Sequence, residues 1–136
     1  MSSAILDAGP LVAYFKREDS YHQWSRDRVG SLHPPLFSCD AVISEACFLL
    51  GRTQSGVDRL MEFLERGVVR LDFPIGPELP AIRKLLRRYR NVPISLADAC
   101  LVRMSELLDE PVIVTLDNDF KIYRRHGRQV IPLIAP

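Results

Sequence analysis

Val112-Ile113-Val114-Thr115-Leu116 is an unbroken apolar and β-branched run that stops at Asp117, with Asn118 and Asp119 close behind. A run with no polar alternation predicts a strand buried on both faces, the kind found in parallel sheets covered by helices. Ala4-Ile5-Leu6 repeats the pattern near the N-terminus and stops at Asp7. Residues 36–38, 68–73 and 130–133 are further strand candidates. Helical patterns lie between them, over residues 11–15, 20–29, 40–50, 56–65, 78–89 and 96–108, with a short helix or turn over 120–125. Gly51 and Gly67 stop two of these helices, and Ser95 caps a third. Strands alternating with helices predict an α/β fold on a mainly parallel sheet. In such sheets ligands bind beyond the carboxyl ends of the strands. Asp7 and Asp117 stand at those ends, so two isolated acids become one predicted site.

Two more acids sit in apolar company. Glu45 interrupts Ala41-Val42-Ile43-Ser44 and Ala46-Cys47-Phe48-Leu49-Leu50, and Asp98 lies inside Leu96-Ala97-Asp98-Ala99-Cys100-Leu101-Val102. Burying a carboxylate is costly unless it is paired or binds a metal. Several carboxylates without matching bases point to a divalent-cation site. Each also has a local reading. Asp98 completes a capping box, Ser95-x-x-Asp98. Asp7 can cap the turn at Ala8-Gly9-Pro10. Asp117-Asn118-Asp119 is a good turn or helix start. Glu45 has only Ala41, Val42, Phe48 and Leu49 three and four positions away, so no local ion pair accounts for it.

The bulk composition sets bounds. A chain of 136 residues fits a single domain spanning 1–136. Its radius of gyration would be on the order of 14 Å, so residues distant in sequence can meet. Hydrophobic residues are 47% and charged residues 26%, an ordinary globular balance. No apolar stretch approaches the ~20 residues that span a bilayer. Met1-Ser2-Ser3-Ala4 has neither the basic nor the apolar region of a secretion signal. The expected location is cytoplasmic, and Cys39, Cys47 and Cys100 read as buried reduced thiols. The net charge of +1 excludes no partner.

The order Asp7, Glu45, Asp98, then Thr115-Leu116-Asp117-Asn118-Asp119-Phe120, resembles the PIN-domain ribonucleases, and within them the VapC-like toxins of toxin–antitoxin pairs. The resemblance covers nearly the whole chain. It runs from Leu6-Asp7-Ala8-Gly9-Pro10-Leu11-Val12-Ala13-Tyr14-Phe15 through Ser44-Glu45-Ala46 and Ser95-Leu96-Ala97-Asp98-Ala99 to Tyr123-Arg124-Arg125-His126-Gly127. It implies a three-layer α/β/α sandwich, Mg²⁺ or Mn²⁺, and cleavage of RNA. Asp7, Glu45, Asp98 and Asp117 would be the catalytic and metal-site acids. Thr115 and Asp119 would be accessory, the threonine hydroxyl orienting a metal-bound water. A homodimer and a small antitoxin partner are implied as well.

Oxygen ligands with retained waters suit Mg²⁺, so the chemistry of the acids agrees with that implication. Two basic clusters are available to substrate. One is Arg83, Lys84, Arg87, Arg88 and Arg90 on a helix; its alternative reading is a solvated face. The other is Arg124, Arg125 and Arg128, with Tyr123 placed to stack on a base. His22, His33 and His126 read as surface residues. A phosphoacceptor receiver domain is a poor rival, because no acidic pair follows the first strand. A PIN-type module that binds RNA or a partner without cutting, or a processing nuclease without an antitoxin, remains the alternative. The helices around Phe48-Leu49-Leu50 and Leu60-Met61-Phe63-Leu64 carry enough large apolar side chains to face a partner.

Overall fold

The computed structural model describes residues 2–136; Met1, the first residue of the segment read as carrying no secretion signal, lies outside them. Strand β1 (Ser3–Leu6) leads into helices α1 (Ala8–Phe15) and α2 (His22–Gly30). Strand β2 (Leu36–Phe37) precedes α3 (Asp40–Leu50) and α4 (Gly56–Glu65). Strand β3 (Val69–Arg70) precedes α5 (Ile75–Arg88) and α6 (Leu96–Leu107). Strand β4 (Pro111–Val114) runs into a 3-10 turn (Asn118–Lys121), a hairpin of β5 (Arg124–Arg125) and β6 (Gln129–Val130), and a last strand β7 (Leu133–Ile134).

Five strands form one sheet in the order β3-β2-β1-β4-β7, and every pairing in it is parallel. Helices cover both sides of this sheet, as the two-faced burial of its strands requires. β1 and β4 are the central pair, with Leu6 opposite Val114. Ile5, Leu6, Ile113 and Val114 are fully buried. On the helices, Leu11, Ala46, Leu60, Ile82 and Leu101 complete the core. Tyr14, Phe15 and Phe63 pack their rings 5.0 to 5.4 Å apart and join α1 to α4.

Several elements differ from the sequence reading. The helix expected over 11–15 begins at Ala8, with Gly9-Pro10 inside its first turn, and the helix or turn expected over 120–125 is a 3-10 turn over 118–121 followed by β5. The strand expected over 68–73 shrinks to Val69–Arg70. Its partner β2 offers only two residues, so the ladder ends and Leu71 is exposed. The strand expected over 130–133 is divided. Val130 pairs backwards with Arg124 in the hairpin, and the chain turns at Ile131–Pro132 before Leu133 joins β4. The helix expected from residue 78 begins at Ile75 and carries Pro80 inside it. Proline at 77 is harmless in a first turn, whereas Pro80 removes one interior hydrogen bond.

Much of the apolar surface considered for a partner belongs to the core. Leu50 and Leu60 are fully buried, and Met61, Phe63 and Leu64 pack against the core. Phe48, 85% exposed, and Leu49, 48% exposed, are the outward-facing remainder. Cys39 and Cys100 are buried, Cys47 is half-buried, and all three are free thiols. Among the described residues no helix is long and apolar enough to cross a membrane.

Candidate metal centre

The carboxyl ends of β1 and β4 lie side by side. Asp7 N–H donates to Val114 O at 3.0 Å, which carries the ladder one residue beyond β1. That register sets Asp7 beside Thr115. The Thr115 hydroxyl donates to Asp7 Oδ2 at 2.7 Å, and Ala8 N–H donates to Asp7 Oδ1 at 2.7 Å. Asp7 is thus both the N-cap of α1 and a carboxylate fixed in orientation at both oxygens. Pro10 fits this start, since the first N–H groups of a helix lack partners anyway. Gly9 is favoured by proximity. A Cβ there would meet the Leu116 side chain at 3.3 Å, so α1 packs directly over the turn after β4.

Asp117 caps the 3-10 turn. Its Oδ1 accepts from Asp119 N–H at 2.8 Å, and its own N–H donates to Thr115 Oγ1 at 2.9 Å. One oxygen of Asp117 stays open to solvent. Asp98 enters from the first turn of α6, where Ser95 Oγ accepts from Asp98 N–H at 3.0 Å. The cap predicted at Ser95 is therefore present, and the Asp98 carboxylate is left for other work. Its Oδ2 accepts from the Tyr123 hydroxyl at 3.1 Å. Glu45 projects from the exposed side of α3 and has no hydrogen-bond or ion-pair partner among the described residues.

Asp7, Glu45, Asp98 and Asp117 all line one cleft of about 530 Å³, floored by Ala8, Gly9 and Leu116. The N-termini of α1 and α6 open onto it, so two helix dipoles favour negative charge there. Even so, Asp7 is pushed up to about 6, first by burial and then by the charges of Asp98 and Glu45, against the pull of its two hydrogen bonds. Asp98 is also raised, first by burial, with the Asp117 charge adding to it and the Tyr123 hydroxyl opposing it. Burial and mutual repulsion together describe a site short of positive charge.

The donor set fits a hard divalent cation. Every group is a carboxylate oxygen, with free lone pairs on Glu45, Asp98 and Asp117. Among the described residues no three such side chains close into a ready-made cage. Mg²⁺ does not need one, because it keeps several waters and takes one or two carboxylates directly.

Several expected residues have other duties. Thr115 donates its proton to Asp7 and so positions that carboxylate. Asp119 serves Asp117 through its backbone, and its side chain is not on the cleft wall. Tyr123 is fully buried, with its ring 5.1 Å from Tyr89 and 5.2 Å from Phe120, so it cannot stack on a base. Its hydroxyl orients Asp98, a role that no local feature of the sequence announces. Arg125 donates to Ser105 O through Nε at 3.0 Å and Nη2 at 2.6 Å, which makes it a clamp on α6. Arg124 Nη1 donates to the carbonyls of Lys121, Ile122 and Tyr123. Of that basic group only Arg128 remains exposed and unengaged by any side chain. His22 is half-buried, with Nδ1 2.6 Å from Ala13 O, and joins α2 to α1.

A family model for the PIN domain matches residues 4–125. The chain belongs to the PIN domain family, whose fold is of nuclease type and whose members are generally divalent-metal-dependent nucleases acting on RNA. No curated protein matches the chain as a close relative.

Proposed function

We propose that this chain is a Mg²⁺- or Mn²⁺-dependent endoribonuclease and the toxin half of a VapBC-type toxin–antitoxin pair. The observation that carries the nuclease reading is the shared cleft of Asp7, Glu45, Asp98 and Asp117 at the carboxyl ends of β1 and β4. Glu45, Asp98 and Asp117 would hold the ion through their open oxygens, and Asp7 through the second lone pairs of its oriented carboxylate. When bound, the ion supplies Lewis acidity and a nucleophilic water at neutral pH. Thr115 keeps Asp7 in one rotamer, and Tyr123 does the same for Asp98. The N-termini of α1 and α6 favour the phosphate's negative charge at the cleft mouth.

The toxin role adds two partners, a second copy of the chain and a small antitoxin. Phe48 and Leu49 support an association surface on α3, and Leu49 also borders the acidic cleft. An antitoxin tail with a basic residue and an apolar anchor would fit that border. A cytoplasmic location goes with this role.

The test is cleavage of a defined RNA by the purified chain in EDTA, then in Mg²⁺ or Mn²⁺. Cleavage is expected only with metal. Asp98→Asn retains the Ser95 cap, so it should fold normally and lose roughly 100-fold in rate, about 2.7 kcal/mol of transition-state stabilisation. Unchanged cleavage at saturating Mg²⁺ would reduce Asp98 to a capping residue and remove the proposal's main support.

A further inference from the structure

A second polar cavity, of about 330 Å³, lies away from the four acids, between α5, α6 and the tip of the β5–β6 hairpin. Lys84 and Arg88, one helical turn apart on α5, form one wall. Arg103 and Glu106 of α6 form the opposite wall, and His126-Gly127 closes the end.

The hairpin tip is held in place from both helices. His126 N–H donates to Glu106 Oε2 at 2.7 Å, and Arg88 Nη2 donates to Gly127 O at 2.7 Å. His126 and Gly127 have φ of 52° and 78°, the two left-handed residues of a tight hairpin turn. Histidine in that conformation is uncommon, and the two clamps hold it there. They leave the imidazole at the cavity mouth.

The charge of the cavity is not balanced internally. Arg103 is satisfied by Glu78 at 2.6 Å and Glu106 at 3.1 Å. Glu106 is used at both oxygens, by Arg103 and by the His126 N–H. The cavity thus sets Lys84, Arg88 and Arg103 against Glu106 and the adjoining Glu78, and its balance stays positive. Lys84 has no ionic or hydrogen-bonding partner among the described residues. A concave wall carrying unneutralised cations focuses positive potential, which suits a phosphate better than a lone surface lysine would.

The cavity is linked to the acidic cleft through the hairpin. Tyr123 holds Asp98, and Arg124 N–H donates to the Tyr89 hydroxyl at the end of α5. From Tyr123 to His126 is about 10 Å of extended chain. We infer that Lys84, Arg88 and His126 form a phosphodiester-binding subsite that holds the RNA strand away from the bond being cut. This rests on RNA being the substrate, and it gives part of the α5 basic cluster a place in binding.

The experiment is equilibrium binding of a fluorescent single-stranded RNA to the full chain in EDTA, across a salt series. Lys84 is exposed, so its variants should fold. Lys84→Gln should weaken binding about three- to fivefold near 0.1 M salt and flatten the log–log salt slope by about 0.7, the signature of one lost phosphate contact. Lys84→Glu should weaken it by about tenfold or more, through repulsion of the strand. Arg66→Gln on α4 serves as the control and should leave both quantities unchanged. In Mg²⁺, Lys84→Gln should raise KM with kcat unchanged if the wild type cleaves. Wild-type affinity and slope in both Lys84 variants would overturn the inference, whatever the cleavage assay gives. Lys84-dependent binding without metal-dependent cleavage would instead remove the ribonuclease reading and leave the subsite standing.

Discussion

Replacing Asp7 by Asn should stabilise the metal-free protein at neutral pH while disabling it as a nuclease. The reason lies in the direction of one titration. The Asp7 carboxyl rises from 3.8 to about 6 on folding, chiefly through burial. The folded state therefore binds the proton more tightly than the unfolded state does. Stability from this group is full below about pH 4 and is lost as pH rises through about 6. A shift of about two units corresponds to about 3 kcal/mol. Asn carries no charge and escapes that loss. It can still accept from Ala8 N–H, but its amide would face Thr115 Oγ1, which already accepts from Asp117 N–H. That mismatch costs about 1 kcal/mol. The net expectation at pH 7.5 is a gain of about 1–2 kcal/mol, or roughly 4–8 °C in Tm for a domain of this size. The assay is urea unfolding of wild type and Asp7→Asn in EDTA from pH 4 to 8. The variant should be slightly the less stable at pH 4, the two curves should cross between about pH 4 and 5, and the variant should lead towards pH 8. Millimolar Mg²⁺ should raise the wild-type curve at the upper end and leave the variant where it is. A difference between the proteins that is constant across this range would refute the reasoning, because the carboxyl would then not titrate where burial places it.

Two further variants probe the groups that orient the acids. Thr115→Val keeps the shape, frees a buried carboxylate oxygen and strands the Asp117 N–H; it should lose about 1–3 kcal/mol by chemical denaturation, with Thr115→Ser close to wild type. Tyr123→Phe should lose about 1 kcal/mol and push the Asp98 carboxyl further up, read as a rise in the carbon-13 titration midpoint of that side chain; an unmoved midpoint would show that the hydroxyl does not support the charge. The α3 surface should make the chain dimeric by sedimentation at micromolar concentration, and Phe48→Asp should favour the monomer; a monomer in both would remove the homodimer.

β4 was legible because its apolar run is long and β-branched, and the shorter β1 because it repeats that run's ending on an aspartate. β2, β3 and β7 have two paired residues each, too few for a period to appear. Their existence is decided by neighbours, as when Val69 joins the sheet only because Leu36 offers an edge. The start of α5 was obscured by two prolines that local propensity reads as breaks. At the site, the acids were visible because apolar surroundings make a carboxylate conspicuous. Their supports were not. Nothing local tells that the Thr115 hydroxyl meets a carboxylate 108 positions away, or that the Tyr123 ring turns inward between Tyr89 and Phe120. Arg125 looked like a phosphate contact because a guanidinium at a backbone carbonyl leaves the same trace in a sequence as one facing solvent.

The pairing of β1 with β4 also fixes when the acidic cleft can form as the chain is made. Asp7 is made early, but its partner Thr115 lies 108 positions further along the chain, and Asp117 follows two residues later. At ordinary synthesis speeds of about 5–20 residues per second, the first acid waits roughly 5–20 s for the last. Throughout that interval the nascent chain has no closed cleft, because the strand that supplies its second edge has not been made. A cleft assembled in this order cannot close until the residues of β4 and the turn after it have been made.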